Sequence, residues 1–266
     1  MPTLDQISIY PIKSCSGINL QSSQVLDRGF PQDRRWLLID EAGQFISQRT
    51  TPRLGQIQIT LGNEQLLVEY PGKTPLSIYV ETRSTVHHTA MIWNDKVDGI
   101  WVGQKCDDWF SDVLGRQVQL INMNEKVHRP LIKDSLPQDR SFEVSFADGY
   151  PYLLTSQSSL DDLNSKLTNP VPMDRFRANL VVSGFHAFAE DEWKRIRIGD
   201  VEFLVVKPCA RCQVTTIDQQ TGAPSKEPLK TLATYRKQDG KVMFGMNLVA
   251  LGTGDVNLND PITITA

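Results

Sequence analysis

Recurring alternation of apolar and polar residues is what most limits the folds open to this chain. It recurs in LDQISIYPI (4–12), RWLLID (35–40), QFISQR (44–49), QIQITL (56–61), QLLVEY (65–70) and LSIYV (76–80). Successive strand side chains point to opposite faces, so each run buries one face and wets the other. The turn-forming stretches EAGQ, LGNE and YPGKTP separate these runs. The pattern continues in TAMIW (89–93), DGIWV (98–102), QVQLINM (117–123), SFEVSF (141–146), ANLVVSG (178–184), IRIGDVEFLVVK (196–207), CQVTTID (212–218), KVMFGMNLVAL (241–251) and DPITITA (260–266). Short strands with regular turns predict a sandwich or barrel. The expected class is mostly β with a few short helices (α+β).

Three segments carry a helical period instead. CDDWFSDVLG (106–115) has acids in its first turn, an apolar face of Trp109, Phe110, Val113 and Leu114, and Gly115 past its end. SSLDDLNSKL (158–167) places Leu160, Leu163 and Leu167 together behind serine caps. EPLKTLATYRK (227–237) has Pro228 near the first helical position. Residues 124–141 are polar and carry prolines, which marks a long loop or boundary. We expect an N-terminal region of residues 1–122 and a second domain of residues 123–266.

A net charge of -3 gives no reason to expect nucleic acid or an anionic membrane as partner. No run approaches the ~20 apolar residues that span a bilayer, and MPTLDQISIYPIKS reads directly as a strand rather than a signal peptide. Four cysteines in 266 residues do not make a disulfide scaffold. These features predict a cytoplasmic protein with reduced thiols.

Two of those cysteines lie in VVKPCARCQVTTID (205–218). A structural zinc site usually needs two such pairs, and no second pair is present. A thioredoxin-like dithiol needs a following helix, whereas strands are expected on both sides. Burial as small apolar residues remains open, although Arg211 and Lys207 argue against a purely apolar pocket.

Other chemistry-bearing residues sit at strand or loop ends. In YPIKSCSG (10–17), Lys13 and Ser14 enter a turn suited to an oxyanion. In QDRRWLLID (32–40), strand parity sends one of Arg34 and Arg35 inward, where it needs an anionic partner. In DRFRANLVVSG (174–184), Arg177 and Asn179 share parity. Asp148-Gly149 forms a tight turn, and Thr155 and Ser156 approach a helix N-terminus, another potential anion site. Convergence of Lys13, Arg34, Arg177 and Arg211 beside a thiol would select a polyanion with something thiophilic attached.

On YPIKSCSG, DRRWLLID, QRTTPRL, SFADGYPYLL, FRANLVVSG, EDEWKRIRIGDVEF, VKPCARCQVTTID, EPLKTLATYR and FGMNLVA, the chain resembles the MOSC-domain proteins over nearly its whole length. Among them it is most similar to bacterial relatives of the mitochondrial amidoxime-reducing component. The resemblance implies a MOSC β-barrel plus a smaller N-terminal β-rich, barrel-like region, with residues 1–34 packing onto the MOSC barrel. It also implies a molybdenum-pyranopterin cofactor whose metal is ligated by the Cys212 thiolate. The implied cofactor contacts are Lys13, Ser14, Arg34, Asp148, Gly149, Arg177, Asn179, Ala210 and Arg211, with Asp148 near the metal for proton delivery or substrate orientation. Ala147 and Gly149 flank Asp148 where eukaryotic relatives carry hydroxyls, so Gly149 would act through its backbone. Cys209 has no implied role.

The implied activity is reduction of small N-hydroxylated compounds, namely hydroxylaminopurines, hydroxylamines and amidoximes, as in detoxification of N-hydroxylated bases. The sequence lacks the four spaced cysteines of an iron–sulfur cluster. Electrons would then come from a separate flavin or iron–sulfur protein. A different class remains open: a molybdenum cofactor carrier, or a sulfur-transfer protein using a persulfide on Cys212 or Cys209.

Overall fold

The computed structural model describes residues 1–266. It is mostly β, and its largest element is a nine-stranded sheet. That sheet runs in the order Ile262–Ile264, Arg195–Ile198, Val201–Ala210, Lys241–Ala250, Tyr152–Ser156, Leu180–Ser183, Thr3–Ile9, Ile18–Leu20, with Lys237–Gln238 added beside Lys241–Ala250. Only Tyr152–Ser156 and Leu180–Ser183 pair in parallel. The helix Gln157–Asn164 supplies their crossover.

The first strand, Thr3–Ile9, is thus part of a sheet otherwise built mainly from the C-terminal half. Its start also bonds to the last strand region. Leu4 N donates to Asp260 O, Asn259 N to Leu4 O, and Ile262 N to Pro2 O. These bonds bring the sheet round on itself. The enclosed core includes Leu4, Ile7, Ile9, Leu154, Leu180, Ile196, Phe203 and Leu248, all fully buried. A further pair, Ser22–Val25 with Gly254–Asn257, ties the same two ends together.

The remaining N-terminal residues form two smaller sheets. One has the order Trp36–Ile39, Gln119–Asn122, Asp95–Trp101, His87–Ile92, and the other Gln58–Leu61, Gln65–Glu69, Leu76–Tyr79. The helix Gln104–Leu114 covers them and ends at Gly115 in the left-handed conformation. Its Phe110, Val113 and Leu114 pack among Trp36, Leu38 and Leu120.

Four segments differ from the sequence expectation. QFISQR is not a strand: only isolated bridges occur at Gln44 and Phe45, and Ser47 O then accepts from Thr50 N and Thr51 N in a turn. In SFEVSF the alternation is real, since Phe142, Val144 and Phe146 are buried. Its backbone instead bonds irregularly to Arg129, Leu131 and Arg34. CQVTTID forms a 3-10 turn over Gln213–Thr216. Thr215 and Thr216 donate their hydroxyls to Cys212 O and Gln213 O, and these local bonds outcompete the β-branched strand preference. EPLKTLATYRK keeps only four helical residues, Leu229–Leu232, with Pro228 at the N-cap rather than inside.

Gly245 sits within Lys241–Ala250 at φ +78°. A Cβ there would lie 2.6 Å from Leu154 O and 2.7 Å from Thr155 Cγ2. Gly245→Ala therefore combines backbone strain with overpacking against a neighbouring strand. It should cost about 2 kcal/mol or more, measured by equilibrium denaturation. A change within the ordinary surface range of about 0.5 kcal/mol would contradict this account.

Candidate functional site

The first strand continues through Tyr10-Pro11-Ile12 to Lys13 and Ser14. Lys13 N donates to Trp36 O and Cys15 N to Ile12 O, which fixes a turn with Ser14 at φ 72°. The Lys13 side chain is buried. Its Nζ donates to Phe146 O at 2.7 Å and to Asp148 Oδ1 at 2.6 Å. Burial pulls the ammonium below its ordinary pKa, against the opposing pull of Asp148. Burial would also push the Asp148 carboxyl up, but the Lys13 charge and hydrogen bond, the Trp93 indole and Arg34 together hold it well below the usual carboxylate range. The Asp148 side chain is 64% exposed against 9% for Lys13. Water screening tempers that depression, while Lys13 and Trp93 both donate to the same Asp148 Oδ1.

The two arginines of DRRW part company. Arg35 turns away to Met123 O and Glu125. Arg34, at φ 50°, donates to Asp33 Oδ2, Asn179 Oδ1 and Arg177 O. Arg177 caps the 3-10 turn Met173–Phe176 at φ 52°, outside the strand that follows, so its position comes from this cap rather than from strand parity. Arg34 and Arg177 both lie over the buried Tyr10 ring, at 4.4 and 4.2 Å. The Arg177 side chain has no hydrogen bond or acidic partner in the protein. Burial lowers its pKa, with Tyr10 the largest opposing influence. Asn179 acts at one remove: its amide engages Arg34, Leu153 N and Ser8 O, which holds Arg34 in place.

Cys209 lies near the end of the strand Val201–Ala210, and Cys212 is the N-cap of the 3-10 turn that follows. A helical turn thus does follow the second cysteine, but four residues supply little of the dipole a thioredoxin-like dithiol uses. Arg211 NH1 contacts Cys209 Sγ at 3.1 Å and NH2 donates to Phe176 O at 2.6 Å, while its buried Nε has no partner. Cys212 is exposed. Lys13, Ser14, Arg34, Asp148, Gly149, Arg177, Asn179, Ala210, Arg211 and Cys212 all line one cleft, together with Cys209. A Cβ on Gly149 would meet nothing within 4 Å, so sterics do not require glycine there.

Sequence reasoning assigned no role to Arg49, Phe45 and Asn247, which line the same cleft. Arg49 stands in the quoted QRTTPRL, and its isolation from any acid was the available signal. The expected anion site at Thr155 and Ser156 lies elsewhere and is already filled. Ser156 and Ser159 both donate to the buried carboxylate of Glu190.

No group of three or more His, Cys, Asp or Glu side chains is arranged to hold a metal ion alone. A metal in this cleft would take one cysteine and bring its other ligands with it. An exposed thiol, an unpartnered Arg177 and the orphaned Arg211 Nε fit such a group.

The sequence matches the MOSC N-terminal beta barrel domain over residues 1–117 and the MOSC domain over residues 141–263. It is 35% identical to the rat mitochondrial amidoxime reducing component 2, covering 98% of this chain and 82% of the rat protein. Identity to the human mitochondrial amidoxime-reducing component 1 is 33%, covering 98% of this chain and 82% of the human protein. A rice molybdenum cofactor sulfurase is 33% identical over 92% of this chain, which spans 32% of that longer protein. No helix is long and apolar enough to cross a membrane. With both domains matched in order, and with relatives aligned over most of their length, the chain belongs to the MOSC-domain family.

Proposed function

We propose that this protein is a cytoplasmic, molybdenum-cofactor-dependent reductase of N-hydroxylated compounds, supplied with electrons by a separate flavin or iron–sulfur protein. One observation carries the reading: the exposed Cys212 thiol opens into the same cleft as Arg177, a cation with no acidic partner. A thiolate is a soft donor suited to a thiophilic metal, and guanidinium groups suit the phosphate of a pterin carrier. The similarity to amidoxime-reducing components supports the choice of reaction. On this reading the chain divides near residues 122 and 123, and residues 1–34 serve the C-terminal barrel.

When bound, the molybdenum group supplies two electrons for the overall change R–NHOH + 2 e⁻ + 2 H⁺ → R–NH2 + H2O. The chain's own residues bind and orient. Cys212 is the single protein ligand. Lys13, Ser14, Arg34, Arg177 and Arg211 hold the anionic part, with Ala210 and Gly149 available through their backbone. The arginines stay charged and do not act as acid–base groups at neutral pH. Asp148, with its depressed pKa, is ionised at neutral pH and has no proton to give. It orients the substrate and fixes Lys13 Nζ between itself and Phe146 O.

The second reading is a cofactor carrier or sulfur-transfer protein. It is supported by the presence of two thiols, Cys209 and Cys212, in one cleft and by the similarity to a molybdenum cofactor sulfurase. Mass spectrometry separates the two. A stoichiometric persulfide without reduction of N-hydroxy substrates favours the carrier.

Cys212→Ser should lose bound molybdenum by more than the about 10–100-fold that loss of an outer partner costs, and activity with it. Cys209→Ser should retain both. Metal and pterin analysis of protein from a host competent in cofactor synthesis, with turnover of an amidoxime, reads the contrast. Full molybdenum and wild-type turnover in Cys212→Ser would overturn the reading.

Asp148 also makes a pH prediction. Its folded pKa is depressed, so its contribution to stability is present above the unfolded value of about 3.9 and fades as pH falls toward the folded value. The difference in thermal midpoint between wild type and Asp148→Asn should be constant from about pH 7 to about 5 and narrow below about pH 4. Thermal denaturation across that series tests it, and a difference that widens in acid would contradict it.

A further inference from the structure

Beside the cleft, against its lining residues Asp148, Phe45 and Arg49, stands a residue that local propensity does not explain. Trp93 is the first of two loop residues between the strands His87–Ile92 and Asp95–Trp101. Favoured two-residue hairpin loops want positive φ and take glycine, asparagine or aspartate there. Trp93 adopts φ 58°, an outlier for so large a side chain. It is also 50% exposed, so burial of the indole does not repay the strain.

Yet the ring is held firmly. Its Nε1 donates to Asp148 Oδ1 at 3.2 Å. Phe45 meets it edge-on, with centroids 5.7 Å apart at 62°. The Arg49 guanidinium lies 4.2 Å from the ring centre, and Arg49 Nε donates to Ser47 Oγ. Phe45, Ser47, Arg49 and Asp148 all line the cleft. Strain persists where surroundings over-determine a conformation, and such places concentrate at ligand-binding sites. A half-exposed indole fixed on three sides, with a guanidinium stacked against it, is a ready surface for a flat π system.

We propose that Trp93, backed by Arg49 and Phe45, is a specificity residue that stacks the planar ring of an aromatic or heteroaromatic N-hydroxylated substrate beside the cleft. Aliphatic hydroxylamines offer nothing to stack and gain nothing from it. The proposal rests on the reductase reading and narrows its substrate class. Asp148, bonded to the indole edge and to Lys13, couples this platform to the cleft interior.

Full-length, cofactor-loaded wild type, Trp93→Ala and Trp93→Phe are compared, with dithionite-reduced methyl viologen as electron source. The substrates are 6-hydroxylaminopurine and N-methylhydroxylamine. In Trp93→Ala the ratio of kcat/KM for the purine over the aliphatic compound should fall by about fivefold to tenfold, mainly through KM, as expected for loss of one aromatic stack. Trp93→Phe should retain most of the ratio, and molybdenum and pterin content should match wild type in both. An unchanged ratio in Trp93→Ala overturns the proposal. Loss of pterin in that variant also overturns it, by placing Trp93 against the cofactor instead. If wild type reduces neither compound, the reductase reading fails by itself. Equilibrium binding of 6-hydroxylaminopurine, measured by isothermal titration calorimetry, then decides the inference: weaker binding by Trp93→Ala supports it, and equal binding overturns it.

Discussion

The architecture depends on the capture of Thr3–Ile9 by a sheet whose other strands lie mainly in the second half of the chain. Leu180–Ser183 bonds to one edge, Ile18–Leu20 to the other, and residues 259–262 to its beginning. Joining such distant segments costs only slowly increasing closure entropy, because that term grows with the logarithm of loop length. Leu4, Ile7 and Ile9 are fully buried in return, each worth about 1.5–3 kcal/mol. The cleft follows from this placement. Tyr10, Lys13 and Ser14 continue the captured strand, so the register that seats Ile7 opposite Leu180 also sets where the ammonium and the aromatic ring arrive.

That arrival creates a charge problem. Lys13, Arg34, Arg49, Arg177 and Arg211 share one cleft, and only Asp33 and Asp148 answer them with carboxylates. Neutral groups do the rest. Carbonyls of Phe146, Arg177 and Phe176 accept from Lys13, Arg34 and Arg211. The rings of Tyr10, Phe176 and Trp93 lie under Arg177, Arg211 and Arg49. Carbonyl and ring acceptors hold a cation without cancelling its charge. A protein of net charge -3 thus keeps a locally positive cleft. Ser14, Arg34, Trp93 and Arg177 account for four of the eight non-glycine residues with positive φ, so much of the backbone strain also lies here.

Alternation made most strands legible, because a half-buried strand writes its inner face at every second residue. It misread two segments whose alternation has another cause. In QFISQR, Ile46 enters the core while Phe45 faces the cleft. In SFEVSF, the buried side chains anchor a loop whose backbone bonds are scattered. Ser22–Val25 and Gly254–Asn257 were invisible because each carries a single apolar residue, Val25 and Val256, too few to write an alternation even though both are fully buried. Arginines of the cleft were legible as types near strand ends, but their partners were not. Arg34 takes its acid from its sequence neighbour Asp33, but its bonds to Asn179 and Arg177 O, and the seating of Arg177 over Tyr10 with no acid, come from segments far apart in sequence. The turn at Thr155 and Ser156 does receive a carboxylate, but its source was not legible for the same reason, since Glu190 arrives from beyond the next strand.

The two cysteines of the CxxC are equivalent in spacing and unlike in setting. Cys209 still belongs to a strand paired with Lys241–Ala250, and the guanidinium of Arg211 folds back onto its sulfur. Cys212 comes after the strand has ended, and the hydroxyl bonds of Thr215 and Thr216 bend the chain into a turn behind it. One thiol is thereby tied to a protein cation. The other is exposed at the cleft with no protein partner for its sulfur. Had residues 212–218 continued as a strand, as their β-branched side chains suggest, no turn would have separated the second thiol from the ladder of the first. The two threonines thus help set the asymmetry of the pair: their hydroxyl bonds shape the turn behind Cys212, while Cys209 stays in the ladder beside Arg211.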